Sequence, residues 1–265
     1  SFLHGEWVPK EWSLSILEGE DDLQVEDATG TLPSSSSGVA QLHGTPYEGE
    51  ALGQRFLAPE GPHWYKVGDD PSIGLGPHSS VVASADGTIM ALSSYSVNDY
   101  RGKVQVYQLN NDGNWIPLGN SFNGVSGNPN PSQLGFGVDL SGDGKIIAIG
   151  EPGREDRKGV VLVFEYDNGN WNQLGGNIVG DESWDLSGKR VALSADGQTL
   201  AVGAPDNKAN GVGTNAGQVK VYRYNIGSGW IQLGEGFYGE AEYDTVGYGI
   251  ALSEDGETLA VGAGG

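Results

Sequence analysis

The sequence predicts an all-β chain, a β-propeller of four-stranded antiparallel blades, on three observations. A strand–turn–strand motif recurs four times, with its turn aspartates at Asp86, Asp143, Asp196 and Asp255. A tryptophan recurs in phase with it, at Trp64, Trp115, Trp171 and Trp230. Between these landmarks the chain alternates with a period of two, and no helical periodicity of useful length appears. Two landmarks sharing a period of about 55 residues mark a repeat architecture.

The motif is clearest in Gly249-Ile250-Ala251-Leu252-Ser253-Glu254-Asp255-Gly256-Glu257-Thr258-Leu259-Ala260-Val261-Gly262-Ala263. Asp-Gly between apolar runs signals a tight hairpin, read here as a two-residue type I′ turn. The second strand, as in Thr199-Leu200-Ala201-Val202-Gly203-Ala204, is apolar throughout, as a strand buried on both faces must be. A polar loop of variable length follows. The third strand then alternates, in Lys103–Leu109, Val160–Tyr166 and Gln218–Tyr224, and turns such as Asn111-Asp112-Gly113-Asn114 lead into the Trp strand. The regular spacing of the tryptophans points to wedges between neighbouring blades, with a ligand-stacking row as the alternative.

Complete blades are expected over about 80–124, 136–180 and 189–239. A half-blade at 51–75 carries only strands three and four, and another at 247–265 only strands one and two. Together the halves make one composite blade and a small four-bladed ring. The other account is a piece of a longer propeller. Residues 1–50 stand outside the repeat: an acidic run (Glu18-Gly19-Glu20-Asp21-Asp22), a Ser-rich linker, and Trp7 and Trp12 as possible interaction residues. Ser13–Leu17 alternates like a short strand, and 18–50 reads as an extended connection or docking arm.

Net charge is 14 − 35 = −21, which argues against nucleic acid as a partner. No apolar run is long enough for a transmembrane helix, so no membrane insertion is expected. There is no Cys, hence no disulfide framework and no thiolate metal site. The start, Ser1-Phe2-Leu3-His4, reads as a mature or trimmed end. The four His residues (4, 43, 63, 78) lack metal-ligand spacing, and no nucleophile elbow, phosphate loop or His-Glu-x-x-His helix is present.

Phe136-Gly137-Val138-Asp139-Leu140-Ser141-Gly142-Asp143-Gly144-Lys145-Ile146-Ile147-Ala148-Ile149-Gly150-Glu151-Pro152 resembles the FG-GAP repeat of integrin α-type propellers. So do Tyr248-Gly249 with Val261-Gly262-Ala263, and Val202-Gly203-Ala204-Pro205. The resemblance covers about 60–265 and implies a propeller fold. Cation-binding loops of that family carry oxygen ligands at alternate positions, whereas the hairpins Ser84-Ala85-Asp86-Gly87, Ser194-Ala195-Asp196-Gly197 and Ser253-Glu254-Asp255-Gly256 carry one turn Asp each. Weak metal candidates remain in the longer loops: Asp181, Glu182, Asp185 and Asp206, with Asn207 and with Glu151, Glu155 and Asp156.

The expectation is therefore a non-catalytic binding or scaffold module, with no catalytic residues and no cofactor, taking protein or glycan partners. An extracellular or cell-surface assembly, with homo-oligomer or filament contacts through the N-terminal arm, is one form of it. The alternatives are a glycan-active enzyme with carboxylates converging in a central channel and a Ca²⁺-dependent adhesion module.

Overall fold

The computed structural model describes residues 79–126 and 130–264 and, before them, Pro71 and four short strands. Those strands form two separate antiparallel pairs: β1 (Ser13–Ser15) with β2 (Gln24–Glu26), and β3 (Arg55–Leu57) with β4 (Tyr65–Val67). The first pair sets Leu14 opposite Val25, so part of the stretch expected to be a bare connection is a strand. Trp7, Trp12, Trp64 and the four histidines lie outside the described residues.

Three units then repeat one plan. Unit one has β5 (Ser79–Ala83), β6 (Ile89–Ser94), β7 (Lys103–Leu109), β8 (Trp115–Pro117) and β9 (Phe122–Asn123). Unit two has β10 (Val138–Leu140), β11 (Ile146–Glu151), β12 (Val160–Asp167), β13 (Asn170–Gln173) and β14 (Ile178–Val179). Unit three has β15 (Arg190–Leu193), β16 (Thr199–Ala204), β17 (Gln218–Asn225), β18 (Gly229–Gln232) and β19 (Phe237–Tyr238). Each is an antiparallel meander of four strands in sequence order, with the two-residue fifth strand pairing beside the fourth on strand three. A hairpin of β20 (Gly249–Leu252) and β21 (Leu259–Gly262) closes the described chain as its own two-stranded sheet.

The second strands β6, β11 and β16 are buried along their whole length. Alternate side chains explain why. Ile147 and Ile149 face unit one, packing with Ile89, Val104 and Val106, while Ile146 and Ala148 face unit three, packing with Val191, Leu193, Leu200 and Val202. Each fully buried Leu, Ile or Val contributes about 1.5–3 kcal/mol. The sheets are thus stacked face to face, and the continuous apolar pattern is what a strand covered on both sides requires.

The hairpin turns differ from the two-residue turn the sequence suggested. Gly87 N–H donates to Ser84 C=O, and Ser84 N–H donates to Ile89 C=O across a longer loop. In this turn only the glycine has positive φ; Asp86 does not. This is a type I turn followed by a left-handed glycine, which any residue tolerates at the aspartate position. The aspartate is there for its side chain. Asp86 Oδ1 accepts from Ser84 Oγ at 2.7 Å and from Thr88 N–H at 2.9 Å, and Asp143, Asp196 and Asp255 repeat both bonds.

These turns also tie the units together. Ala85 N–H donates to Gly142 C=O, Gly142 N–H to Ala195 C=O, and Ala195 N–H to Glu254 C=O, each at 2.8 Å. The Trp strands add a second tie. Trp171 Nε1–H donates to Leu118 C=O and Trp230 Nε1–H to Leu174 C=O, both at 2.9 Å, so each indole spans from its own unit to the one before. Trp115 is buried in unit one with Met90, Leu92 and Tyr107.

Candidate functional site: an aromatic–arginine cluster on the loop rim

Opposite the Asp turns lies a rim made of the loops between strands two and three and the loops that lead into the next unit. Its geometry repeats. Asn98, Asp99 and Tyr100 form a left-handed turn with φ of 55°, 58° and 60°, and Glu155, Asp156 and Arg157 match it at 52°, 57° and 61°. Three successive non-glycine residues in this region cost on the order of 1 kcal/mol each, so the surroundings must hold them there. They do so through the backbone. Gln133 N–H donates to Tyr100 C=O and Leu134 N–H to Arg101 C=O, with Leu186 to Arg157 and Ser187 to Lys158 repeating the pair.

On this scaffold four side chains from distant parts of the sequence meet. Tyr95 follows β6, Phe136 and Tyr248 precede the first strands of their units, and Arg190 opens β15. The Tyr95 and Phe136 rings stack at 4.3 Å between centroids and 20° between planes. The Arg190 guanidinium lies 5.8 Å from the Phe136 centroid and 5.0 Å from the Tyr248 centroid. A ring–ring–cation–ring series therefore runs from unit one to the half-unit, worth about 0.5–2 kcal/mol per cation–π contact. Arg190 also donates from Nη1 to Lys189 C=O at 2.9 Å. Among the described residues no carboxylate stands within ion-pairing distance of it. In a chain of net charge −21 that leaves a half-buried cation on a wall of aromatic rings. Burial pushes the Tyr95 hydroxyl above its usual pKa, with Tyr100 and Tyr248 acting in the same direction and Arg190 against it.

The rim is otherwise rich in exposed rings. Tyr100, Trp184, Tyr243 and Tyr248 are each more than half exposed, and Arg157 stacks over Trp184 at 4.4 Å.

Of the carboxylates singled out as metal candidates, Asp181, Asp185, Asp206, Glu151 and Asp156 are engaged by the protein itself, Asp156 by accepting from Ser183 Oγ at 3.0 Å. Lys220 Nζ donates to Asp181 at 2.6 Å, and Gln218 adds a second bond at 3.1 Å. Burial raises the Asp181 pKa, but these bonds outweigh it and leave the group below its usual value. Asp185 accepts the Glu182 backbone N–H at 2.7 Å and is held above its usual pKa by burial. Asp206 pairs with Lys189 at 3.1 Å, and Glu151, buried, pairs with Arg154 at 2.6 Å. Among the described residues no three His, Asp or Glu side chains are grouped to hold a metal ion.

One carboxyl behaves differently. Asp139 in β10 sits where the other units carry Val82, Ala192 and Ala251. Its Oδ1 accepts Leu140 N–H at 2.9 Å and its Oδ2 accepts Leu193 N–H of unit three at 2.7 Å. Burial raises its pKa to about 6 despite both bonds. A carboxyl whose folded pKa exceeds its unfolded value binds its proton more tightly when folded. Its stabilising contribution is complete below 3.8 and is lost as the pH rises through about 6. The span between those values corresponds to roughly 3 kcal/mol. Wild type should therefore gain stability relative to Asp139→Asn on going from about pH 7 to about pH 4 in urea melts. Parallel stability curves for the two proteins would rule the assignment out.

No family model and no curated protein matches the chain. Solved structures do. TolB from Acinetobacter baumannii aligns with a TM-score of 0.42 at 15% identity, over 91% of this chain and 42% of that one. A putative 6-phosphogluconolactonase from Bacteroides uniformis aligns with a TM-score of 0.44 at 17% identity, over 77% of this chain and 68% of its own. This chain thus spans less than half the length of TolB. The second match corrects one expectation. A chain described as a lactonase stands among the matched structures, and the reading of a non-catalytic scaffold module is withdrawn. No helix among the described residues is long and apolar enough to cross a membrane.

Proposed function

We propose that this chain arrays its units as a propeller and binds a ring-bearing anion, an acidic sugar or sugar phosphate, on the rim cluster. The observation that carries the reading is Arg190, held between the faces of Phe136 and Tyr248 with no carboxylate partner among the described residues. Aromatic faces take the C–H surface of a sugar ring. A guanidinium donates paired hydrogen bonds to a carboxylate or phosphate, and those bonds are the stronger for being charge-assisted. Tyr95 joins the same wall through its ring, stacked on Phe136. The FG-GAP resemblance fits this placement, since Phe136 and Tyr248 are the aromatic residues of its Phe-Gly and Tyr-Gly dipeptides.

Calorimetry with glucuronate, glucose 6-phosphate and glucose tests the reading. At least one of the two anions should bind more tightly than glucose by roughly tenfold to a hundredfold, the worth of a charge-assisted pair at about 1.5–3 kcal/mol. Arg190→Gln should abolish that preference while leaving the fold intact. Equal binding of all three sugars, or selectivity that survives Arg190→Gln, would overturn it. Analysis of the same mixtures for altered sugar reports whether binding leads on to chemistry.

A further inference from the structure

The segment that ends at Arg190 carries a second aromatic station at its start. Between β14 and β15 the chain runs Asp181-Glu182-Ser183-Trp184-Asp185-Leu186-Ser187-Gly188-Lys189 and then reaches Arg190. Six residues of chain separate Trp184 from Arg190, so their Cα atoms lie at most about 22 Å apart. Positive φ at Trp184 (77°), Leu186 (52°) and Gly188 (86°) folds this link and shortens the span. A ligand a few sugar rings long therefore reaches both.

Trp184 is held outward. It is 55% exposed, on a backbone conformation that bulky residues rarely occupy. The Arg157 guanidinium lies 4.4 Å from the centroid of its ring. Ser183 Oγ donates to Asp156 at 3.0 Å, and Leu186 N–H donates to Arg157 C=O at 3.0 Å, so the loops on either side of the indole are tied together. The display recurs in the following link. Counted back from Gly188 and Gly247, Trp184 and Tyr243 fill one repeat position, and Tyr243 is also left-handed (φ 66°) and 58% exposed. A ring braced in place before binding loses little freedom when a ligand settles on it.

Charge separates the two stations. Arg190 is a cation among rings, with no carboxylate partner among the described residues. Trp184 stands in an acidic stretch, between Glu182 and Asp185, and Glu182 enters no ion pair among those residues. An anionic ring suits the first station and an uncharged ring the second.

We propose that Trp184 is a second sugar platform, and that the ligand class is an oligosaccharide in which acidic rings alternate with neutral ones. This rests on Arg190 binding an acidic sugar. The acidic ring pairs with Arg190, and a neutral ring of the same chain lies on the indole.

The test is calorimetry of the full chain with glucuronate, with a tetrasaccharide alternating glucuronate and N-acetylglucosamine, and with the uniformly acidic tetragalacturonate. The alternating tetrasaccharide should bind more tightly than glucuronate by roughly threefold to tenfold, the worth of one aromatic contact. It should also bind more tightly than tetragalacturonate. Trp184→Ala should remove the gain and leave glucuronate binding as it was, which also reports that the variant is folded. Trp184→Tyr, which keeps a ring as Tyr243 does, should retain the gain. A tetrasaccharide no tighter than glucuronate, or a gain that survives Trp184→Ala, would overturn the second platform and leave the Arg190 site standing. Equal binding of the two tetrasaccharides would overturn the alternation. If neither glucuronate nor the alternating tetrasaccharide binds, the platform falls, and glucose 6-phosphate decides whether the Arg190 site falls with it.

Discussion

Gly150→Val is expected to abolish folding, or to cost more than about 4 kcal/mol. Gly150 lies in β11 where units two and three come closest. A Cβ at this position would stand 2.0 Å from the carbonyl oxygen of Gly188 and 2.8 Å from its carbon. Both obstacles are backbone, so no side chain can swing away to relieve the clash. Unit three would have to retreat by more than an ångström, opening the shared core of Ile146, Ala148, Val191 and Val202. Gly203 meets the same obstacle in Gly247, whose oxygen lies 2.3 Å from the site of its would-be Cβ. Gly169→Ala is the control: its Cβ would meet nothing within 4 Å, and the change carries only the positive-φ penalty, about 1 kcal/mol. Urea denaturation should place Gly169→Ala near wild type and both Gly150→Val and Gly203→Val far below it.

Trp171→Ala should cost about 3–5 kcal/mol, the usual loss for truncating a large aromatic in a packed site. The indole is anchored on three sides. It packs against Tyr166 at 5.1 Å and Phe122 at 5.8 Å between centroids, and its N–H reaches Leu118 C=O of unit one. Gly119, at φ 72°, lies so close that a Cβ there would meet Trp171 Cδ1 at 2.8 Å. Trp171→Phe separates the parts of the effect: it keeps an aromatic ring in the site and removes the hydrogen bond, for about 1 kcal/mol. If both variants melt with wild type, the indole is not the tie between units that its contacts describe.

The repeat itself could be read from the chain because its markers are local. A Ser-x-Asp-Gly turn needs four consecutive residues, and the apolar second strand needs six, so both stand out in any copy. The fifth strands could not be read so. Phe122–Asn123, Ile178–Val179 and Phe237–Tyr238 are two residues each and carry no alternation; only the recurrence of an apolar residue four positions after Leu118, Leu174 and Leu233 points to them. The left-handed turns had even less to declare them, since Val97-Asn98-Asp99-Tyr100 and Arg154-Glu155-Asp156-Arg157 are polar stretches like any loop. The type I′ expectation failed for a related reason: Asp-Gly is compatible with two turns, and the serine bonded to the aspartate decides between them. The rim cluster draws on positions 95, 136, 190 and 248, and only stacking of the units brings these together. Phe136 and Tyr248 occupy one repeat position, filled in unit three by Lys189, with Arg190 beside it. That substitution pattern becomes meaningful once the units are superposed.

The chain of backbone bonds from Ala85 through Gly142 and Ala195 to Glu254 has a mechanical consequence. Each of these amides belongs to a turn, outside any sheet ladder, and each links one unit to the next. Load applied along the array passes through them in series, so units should peel away one at a time from an end. Solvent exchange of these three amide protons then reports the opening of each junction separately. The Gly142 proton, flanked by a unit on either side, should be the slowest of the three to exchange.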